Sequence, residues 1–452
     1  MAIQDTARSV EAGSALPARR AATRLGHRAF LLRIGAVDLL SLAAATAAAS
    51  WILFRTPLPW QAALVGHRVL PFLGYLAASA VLSSALSSGL ERRIPPRPSY
   101  LRAGVIVVGT FVMTAVLVLL TFSYVSRPLF GGVMVLWCAA VYGYRVWHRR
   151  HPWAEPMVII SSEEPLVAAL QGSEHAQVLR LVDPQEQREL ELPAAGITVA
   201  VDLRAVLAPR VAQFVSSCAV AGYPVRPFTE VYEDHTGRVP LVSLAEGWEI
   251  SAPLSRNIPY LPIKRVADIV LVLATLPAWA PLLALVALLV RLSSRGPVIF
   301  RQWRVGLGER PFMLYKFRTM REDAERDGPR FTSHGDPRLT AVGRALRRTH
   351  LDELPQLWNV LRGDLSLVGP RPEQAAFVRE FNRQIPFYSD RHLVRPGITG
   401  WAQVRYGYAD DQAETIEKLS YDLYYIKHMS PFFDLRILWH SIGTILSGSG
   451  AR

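Results

Sequence analysis

The chain has 452 residues, a formal net charge of +13, an apolar fraction of 50% and a mean hydropathy of +0.19. These values exclude a single small soluble domain and favour several modules with membrane segments, while the charge calls for an anionic partner: nucleic acid, an anionic membrane face or phosphorylated substrates. With only Cys138 and Cys218 present, neither a disulfide framework nor a cysteine-built metal site is available.

Arg19, Arg20, Arg24 and Arg28 precede an apolar segment too long for a signal peptide, which predicts a retained anchor. Four apolar segments fill the first third: Leu31 to Phe54, Val69 to Leu90, Ala103 to Tyr124 and Leu129 to Tyr144. At about 1.5 Å rise per residue each approaches or exceeds a hydrocarbon core of about 30 Å. The leader, the loop with Arg92, Arg93, Arg97 and Arg102, and the exit through Arg145, His148, Arg149 and Arg150 are strongly basic. The other connections carry only Arg55, Arg68 and Arg127, so the positive-inside rule puts both ends of this four-helix bundle in the cytoplasm. Arg33 and Asp38 lie near the start of the first span, where a snorkelling arginine and an inward-facing aspartate are expected rather than a transport role.

Beyond residue 150 the pattern changes. Met157 to Ile160 and Ile197 to Asp202 are short β-branched runs separated by helical spacing, predicting an α/β module with a parallel sheet. Ser161-Ser162-Glu163-Glu164-Pro165 follows the first run where a nucleotide site would need glycines, so a structural or regulatory module is expected. Tyr232 to Pro240 reads as a turn and tether. A fifth apolar segment, Val266 to Val290, carries Pro277 and Pro281 inside it and basic residues on both flanks: Lys264 and Arg265 before, Arg291 and Arg295 after. A helix broken at Pro281 that dips into the bilayer and returns keeps both flanks inside.

The chemistry-bearing residues follow. Val298 to Gly306 and Phe312 to Met320 read as two strands joined by a glycine turn, with Lys316 and Arg318 on one face. That pair suits a diphosphate, and equally suits a solvated or headgroup-facing strand. A mixed-charge connection spans Arg321 to Arg330. A helix over Thr340 to Arg348 gathers Arg344, Arg347 and Arg348, whose mutual repulsion an anion would relieve. Nucleic acid is disfavoured because no aromatic stripe alternates with these arginines. Thr349 and Asp352 have capping-box spacing at the start of a helix whose apolar face includes Leu354, Leu357, Trp358 and Leu361, and Glu353 suits a first turn. Taken singly, both carboxylates have those structural explanations. As a pair they can also do chemistry: one as a nucleophile toward phosphorus, the other as a ligand for Mg²⁺.

From about Ile263 to Leu446 the chain resembles the bacterial sugar transferases that load a hexose-1-phosphate onto polyprenyl phosphate, the large monotopic phosphoglycosyl transferases. The resemblance rests on Lys264-Arg265 with Asp268, the proline-broken hairpin, Gly296 to Gln302, Tyr315 to Met320, Leu351 to Leu357, Val368 to Pro372 and Arg395 to Gly400. It implies a membrane protein with a cytoplasmic basic leader over 1–28, a four-span bundle over 29–150 and a degenerate Rossmann-like α/β domain over 151–262. An α/β catalytic domain would fill 263–452, on a re-entrant helix-break-helix over 264–292. It implies Asp352 as nucleophile on a UDP-hexose, Glu353 as Mg²⁺ ligand, Lys316, Arg347 and Arg371 as phosphate or nucleotide contacts with Arg318 added by proximity, and Pro281 as the helix break. UMP would leave, and undecaprenyl phosphate would collect the sugar phosphate from a phosphosugar-aspartyl intermediate, the first membrane step of exopolysaccharide synthesis. The expected donor is UDP-glucose, with galactose-1-phosphate transfer or a non-catalytic scaffold or regulator as the alternatives. The implied setting is a bacterial inner membrane with the catalytic domain facing the cytoplasm, a lipid bilayer as partner, no nucleic acid, and a homodimer as an admissible assembly. His350 stands where many members have serine, and Ala280 precedes Pro281 where a small polar residue is common. Ile385 to His392 and Trp401 to Tyr408 are expected to wall the sugar pocket, and Lys418 to His428 to form a helix whose tyrosines pack.

Overall fold

A computed structural model describes residues 17–63, 66–90, 98–124, 126–150, 154–194, 196–241, 260–321, 338–406 and 412–447, with backbone alone for 17–29, 412–413 and 444–447. The side chains of the leader arginines, the loop with Arg92, Arg93 and Arg97, the 322–330 connection and Tyr408 lie outside the described residues. The chain divides into two compact units, Met1–Thr236 and Gly237–Arg452.

The first unit opens with four helices, α1 (Pro17–Phe54), α2 (Leu70–Leu86), α3 (Tyr100–Thr121) and α4 (Arg127–Arg149), each supplying a stretch long and apolar enough to cross a membrane. Helix α1 packs on α4 and α2 on α3, around Leu42, Phe72, Leu76, Ile106, Val133 and Trp137. Arg33 is exposed while Asp38 turns inward, as expected of each. Asp38 is held in a two-pronged pair by Arg145, at 2.8 and 3.0 Å. Arg145 and Arg102, which the charge pattern grouped with the flanking basic residues, are both buried within helices, Arg102 donating to Ser84. A buried guanidinium without such acceptors would cost several kcal/mol, on the order of 3–5.

The α/β region follows: β1 (Glu155–Ile160), α5 (Glu164–Gln171), β2 (Ala176–Val182), β3 (Thr198–Val201), α6 (Pro209–Val220), β4 (Val225–Pro227) and α7 (Phe228–Thr236). Its four strands run parallel in the order β2-β1-β3-β4, and the buried β-branched residues of β1 and β3 form the sheet centre. At the carboxyl ends of β1 and β3 polar side chains pair with one another: Ser161 Oγ donates to Asp202 at 3.2 Å, and Arg204 bridges Glu163 and Asp202 at 3.0 and 3.3 Å. Residues 232–236, read from sequence as a turn, complete α7, because Phe228, Val231 and Tyr232 recur at helical spacing and bury against Leu166 and Leu170.

The second unit is built on α8 (Tyr260–Ser293), the fifth helix apolar and long enough to span. Then come the antiparallel pair β5 (Ile299–Val305) and β6 (Pro311–Phe317), α9 (Ala341–Arg348), α10 (Gln356–Arg362), β7 (Ser366–Val368), α11 (Ala375–Gln384), β8 (Gly397–Thr399), α12 (Trp401–Arg405), α13 (Gln412–His428) and α14 (Pro431–Ser447). Residues on both sides of Pro277 and Pro281 rest on this domain: Val272 and Trp279 on Phe312, Leu314 and Val360, Val286 and Val290 on Phe317 and Leu346. Most of the remaining apolar surface of α8 is open, including Val266, Val270, Leu285, Leu288 and Leu292, a patch far beyond what water tolerates. Its first turns are tied down by polar contacts. Tyr260, Lys264 and Tyr425 converge on Asp434 of α14, and Asp268 accepts from Ser366 of β7 at 2.7 Å.

Candidate active site

Three elements deliver the site. Strand β6 carries Lys316, a short 3-10 turn over Leu351–Glu353 carries both carboxylates, and the turn after β7 carries Arg371. Their relative placement is pinned by buried Asn359 of α10, whose amide donates to Met313 O at 2.7 Å and accepts from Tyr315 N at 3.1 Å, so α10 is bolted to the edge of β6. At the far end of α10, Arg265 of α8 donates to the carbonyls of Val360 and Leu361, satisfying groups that a helix C-terminus leaves open.

Helix α9 starts as its sequence predicts, with Thr340 Oγ1 accepting from Gly343 N at 2.9 Å. The expected capping box at Thr349 is not formed. Thr349 donates back to Ala345 O at 2.9 Å, and the carboxylate turn is entered through His350 in the left-handed region, φ 56°, without a side-chain cap. Asp352 and Glu353 therefore sit on a tight turn ahead of α10 rather than in the first turn of a long helix, and Trp358, expected on the apolar face, is 58% exposed.

Both carboxylates are buried, but their surroundings differ. Glu353 Oε1 receives Lys316 Nζ at 2.8 Å and Arg371 Nη2 at 3.0 Å, and against the burial that would raise its pKa these two cations hold it well below the ordinary range. Asp352 accepts no hydrogen bond among the described residues, and burial pushes its carboxyl up, with Lys316 opposing and Glu353 adding to the shift. One turn thus presents a committed anion beside a more basic carboxyl, the separation of roles expected where two adjacent acids act differently.

The remaining sequence-predicted residues divide. Arg347 is half-buried, donates to Thr319 Oγ1 at 3.0 Å and is near enough to Asp352 to favour its charge. Arg318 is not brought to Glu353. It turns to the end of α8, its Nη2 donating to Ser294 O and Oγ at 2.8 and 2.9 Å, while its Nε and Nη1 are buried without acceptors. Arg344 and Arg348 face outward. Pro281 lies within α8. Of the expected pocket wall, Ile385, Tyr388 and Trp401 are core residues. Arg391 sits behind the site: it donates to Arg371 O at 2.9 Å and Asp422 Oδ2 at 2.8 Å, fixing the loop that presents Arg371. The Arg391–Asp422 pair was not foreseen, because 31 residues separate two groups that meet only when α13 folds against the turn.

Among the described residues no cluster of three or more His, Cys, Asp or Glu side chains could enclose a metal. Both donors to Glu353 use Oε1, leaving Oε2 and the Asp352 oxygens without hydrogen bonds among the described residues. Carboxylate oxygens in that number suit Mg²⁺, which is commonly held by one or two carboxylates with substrate phosphates completing its shell.

Residues 259–448 match the profile of the bacterial sugar transferase family. A UDP-N-acetylgalactosamine-undecaprenyl-phosphate N-acetylgalactosaminephosphotransferase of Aeromonas hydrophila is 46% identical over 272 residues, covering 59% of this chain and 64% of that protein. The UDP-glucose:undecaprenyl-phosphate glucose-1-phosphate transferase of Escherichia coli is 43% identical over 182 residues, 40% of this chain and 39% of that one. Its namesake in Caulobacter vibrioides is 45% identical over 194 residues, 42% of this chain and 71% of the relative. The chain thus spans less than two thirds of the length of the Aeromonas and Escherichia relatives.

Proposed function

Because the chain belongs to the bacterial sugar transferase family, we propose that it transfers a hexose-1-phosphate from a UDP-sugar to undecaprenyl phosphate at a membrane. The observation that carries this reading is the pairing on one turn of Asp352, buried and free of hydrogen bonds among the described residues, with Glu353, neutralised by Lys316 and Arg371.

In this reading Lys316 and Arg371 bind the diphosphate, and Arg347 favours the charged form of Asp352. The Asp352 carboxylate attacks the sugar-bearing phosphorus. An acyl phosphate bond forms, the bond to the UMP oxygen breaks, and UMP leaves with the electron pair. The lipid phosphate oxygen then attacks the same phosphorus, the bond to Asp352 breaks, and the carboxylate is restored. Glu353 Oε2 would hold Mg²⁺, which when bound supplies neutralisation of the diphosphate and the departing phosphate. Burial of both carboxyls keeps water from competing for the acyl phosphate.

The proposed setting is a bacterial inner membrane, with the first four helices spanning as a bundle and α8 entering and leaving on the cytoplasmic side. Support for the re-entrant path is that both halves of α8 rest on one domain, around two prolines that each remove a backbone hydrogen bond. Glucose-1-phosphate is the proposed cargo. N-acetylgalactosamine phosphate is the second reading, favoured because the Aeromonas relative is matched over more residues than either glucose-1-phosphate transferase. Incubating the purified protein with a panel of UDP-sugars, Mg²⁺ and undecaprenyl phosphate should release UMP from one donor. Asp352→Asn should cut the rate by at least about 10³-fold, as loss of a covalent nucleophile does; equal rates for the two proteins would refute the mechanism and favour a scaffold.

A further inference from the structure

Among the described residues of the second unit, one half-buried cation is left without a partner by these contacts. Lys418, in the middle of α13, is half-buried, yet its ammonium makes no hydrogen bond or ion pair among the described residues. One helical turn later on the same face, Asp422 accepts from the Arg391 Nη2 that also donates to Arg371 O. Lys418 therefore stands beside the support of the proposed phosphate-binding arginine.

The carboxylates around it are committed elsewhere. Glu373, two residues past Arg371, reaches Arg304 at 3.5 Å, Asp422 pairs with Arg391 at 2.8 Å, and Glu414, one turn earlier on α13, has a partner of its own. Burial pushes the Lys418 ammonium down to about 8, with Glu373 opposing and Arg371 adding to the shift, so it is charged at neutral pH. Arg371 is near enough to disfavour the charge on Lys418, and an anion bound between the two would relieve that repulsion.

We propose that Lys418 is a further phosphate-binding residue, which takes an oxygen of a substrate phosphate together with Arg371. The inference rests on the transferase reading for its substrate. That phosphate is either the diphosphate of the nucleotide donor or the monoester of the lipid acceptor. Both offer the same anionic oxygens, and only kinetics separate them.

The test uses the full chain in lipid nanodiscs, with Lys418→Met and Lys418→Arg. Loss of one charge-assisted contact should raise one KM by about tenfold, more than it lowers kcat, and arginine should recover most of the loss. A rise for the UDP-sugar assigns Lys418 to the donor, and a rise for undecaprenyl phosphate assigns it to the acceptor. Unchanged KM values overturn the proposal, as does a fall in kcat and melting temperature with both KM values held, since that marks a packing role. If the wild-type protein turns over no UDP-sugar, the transferase reading itself fails. Calorimetric titration of wild type and Lys418→Met with UMP and with pyrophosphate then decides for Lys418: binding weakened in the variant supports it, and equal or absent binding in both overturns it.

Discussion

His350 is the residue through which the chain pays for its carboxylate turn. A non-glycine side chain at φ 56° costs roughly 1–2 kcal/mol, and here it lets the backbone reverse after α9 so that Asp352 and Glu353 face Lys316. His350→Gly should keep the turn with an unchanged or raised melting temperature, whereas His350→Val should lose about 1–3 kcal/mol, because a β-branched residue resists this conformation; equal unfolding curves would show that the turn tolerates either. A second histidine makes a pH-dependent contribution. Burial, with Arg391 adding, lowers His392 to about 3 from its ordinary 6.5, so the folded chain keeps it neutral while the unfolded chain takes up a proton below 6.5. Its stabilising contribution is complete above pH 6.5 and is lost as pH falls toward 3. Between pH 7 and 4.5 the melting temperature of His392→Gln should therefore fall less than that of wild type. At this scale the sequence made the acidic pair legible, since two adjacent carboxylates after an arginine cluster form a local signal. Which cation each would meet was not local: Arg371 lies 18 residues beyond Glu353, and Lys316 lies 37 before it.

Helix α9 shows how closely an element can be fitted. A Cβ at Gly343 would overlap the backbone carbonyl of Thr319, so the first turn of α9 lies directly on the strand end from which Thr319 Oγ1 receives Arg347. Gly343→Ala must push α9 away, which should cost about 1–3 kcal/mol and lower the proposed transferase activity together with stability. An unchanged melting temperature and rate would show that α9 does not depend on this close approach. The start of α9 was readable from Thr340, and the long apolar helices from composition alone. Arg145 and α7 were not: a basic residue at the end of an apolar run looks like a flank until Asp38 is found 107 positions away, and Tyr232 to Pro240 carries enough polar and glycine residues to imitate a turn. The capping box failed for a related reason. Thr349 had the right spacing, but the carbonyls of the helix behind it offered the nearer partners.

At the scale of the molecule, the two units offer a membrane different surfaces: four mutually packed helices in the first, and in the second a single long helix whose apolar surface is mostly uncovered. A re-entrant α8 predicts that a cysteine placed after Arg295 is modified by an impermeant thiol reagent only when the cytoplasmic face is accessible. Labelling from the outer face would make α8 an ordinary span. The uncovered helix also constrains how the two proposed substrates are met. In the proposed setting one arrives from water in three dimensions, while the other shares the bilayer plane in which α8 would hold the second unit. For that second encounter the relevant quantity is the number of acceptor lipids per unit area, so inert lipid added at fixed total acceptor would slow the second half of the cycle by dilution within the sheet while leaving the first half untouched.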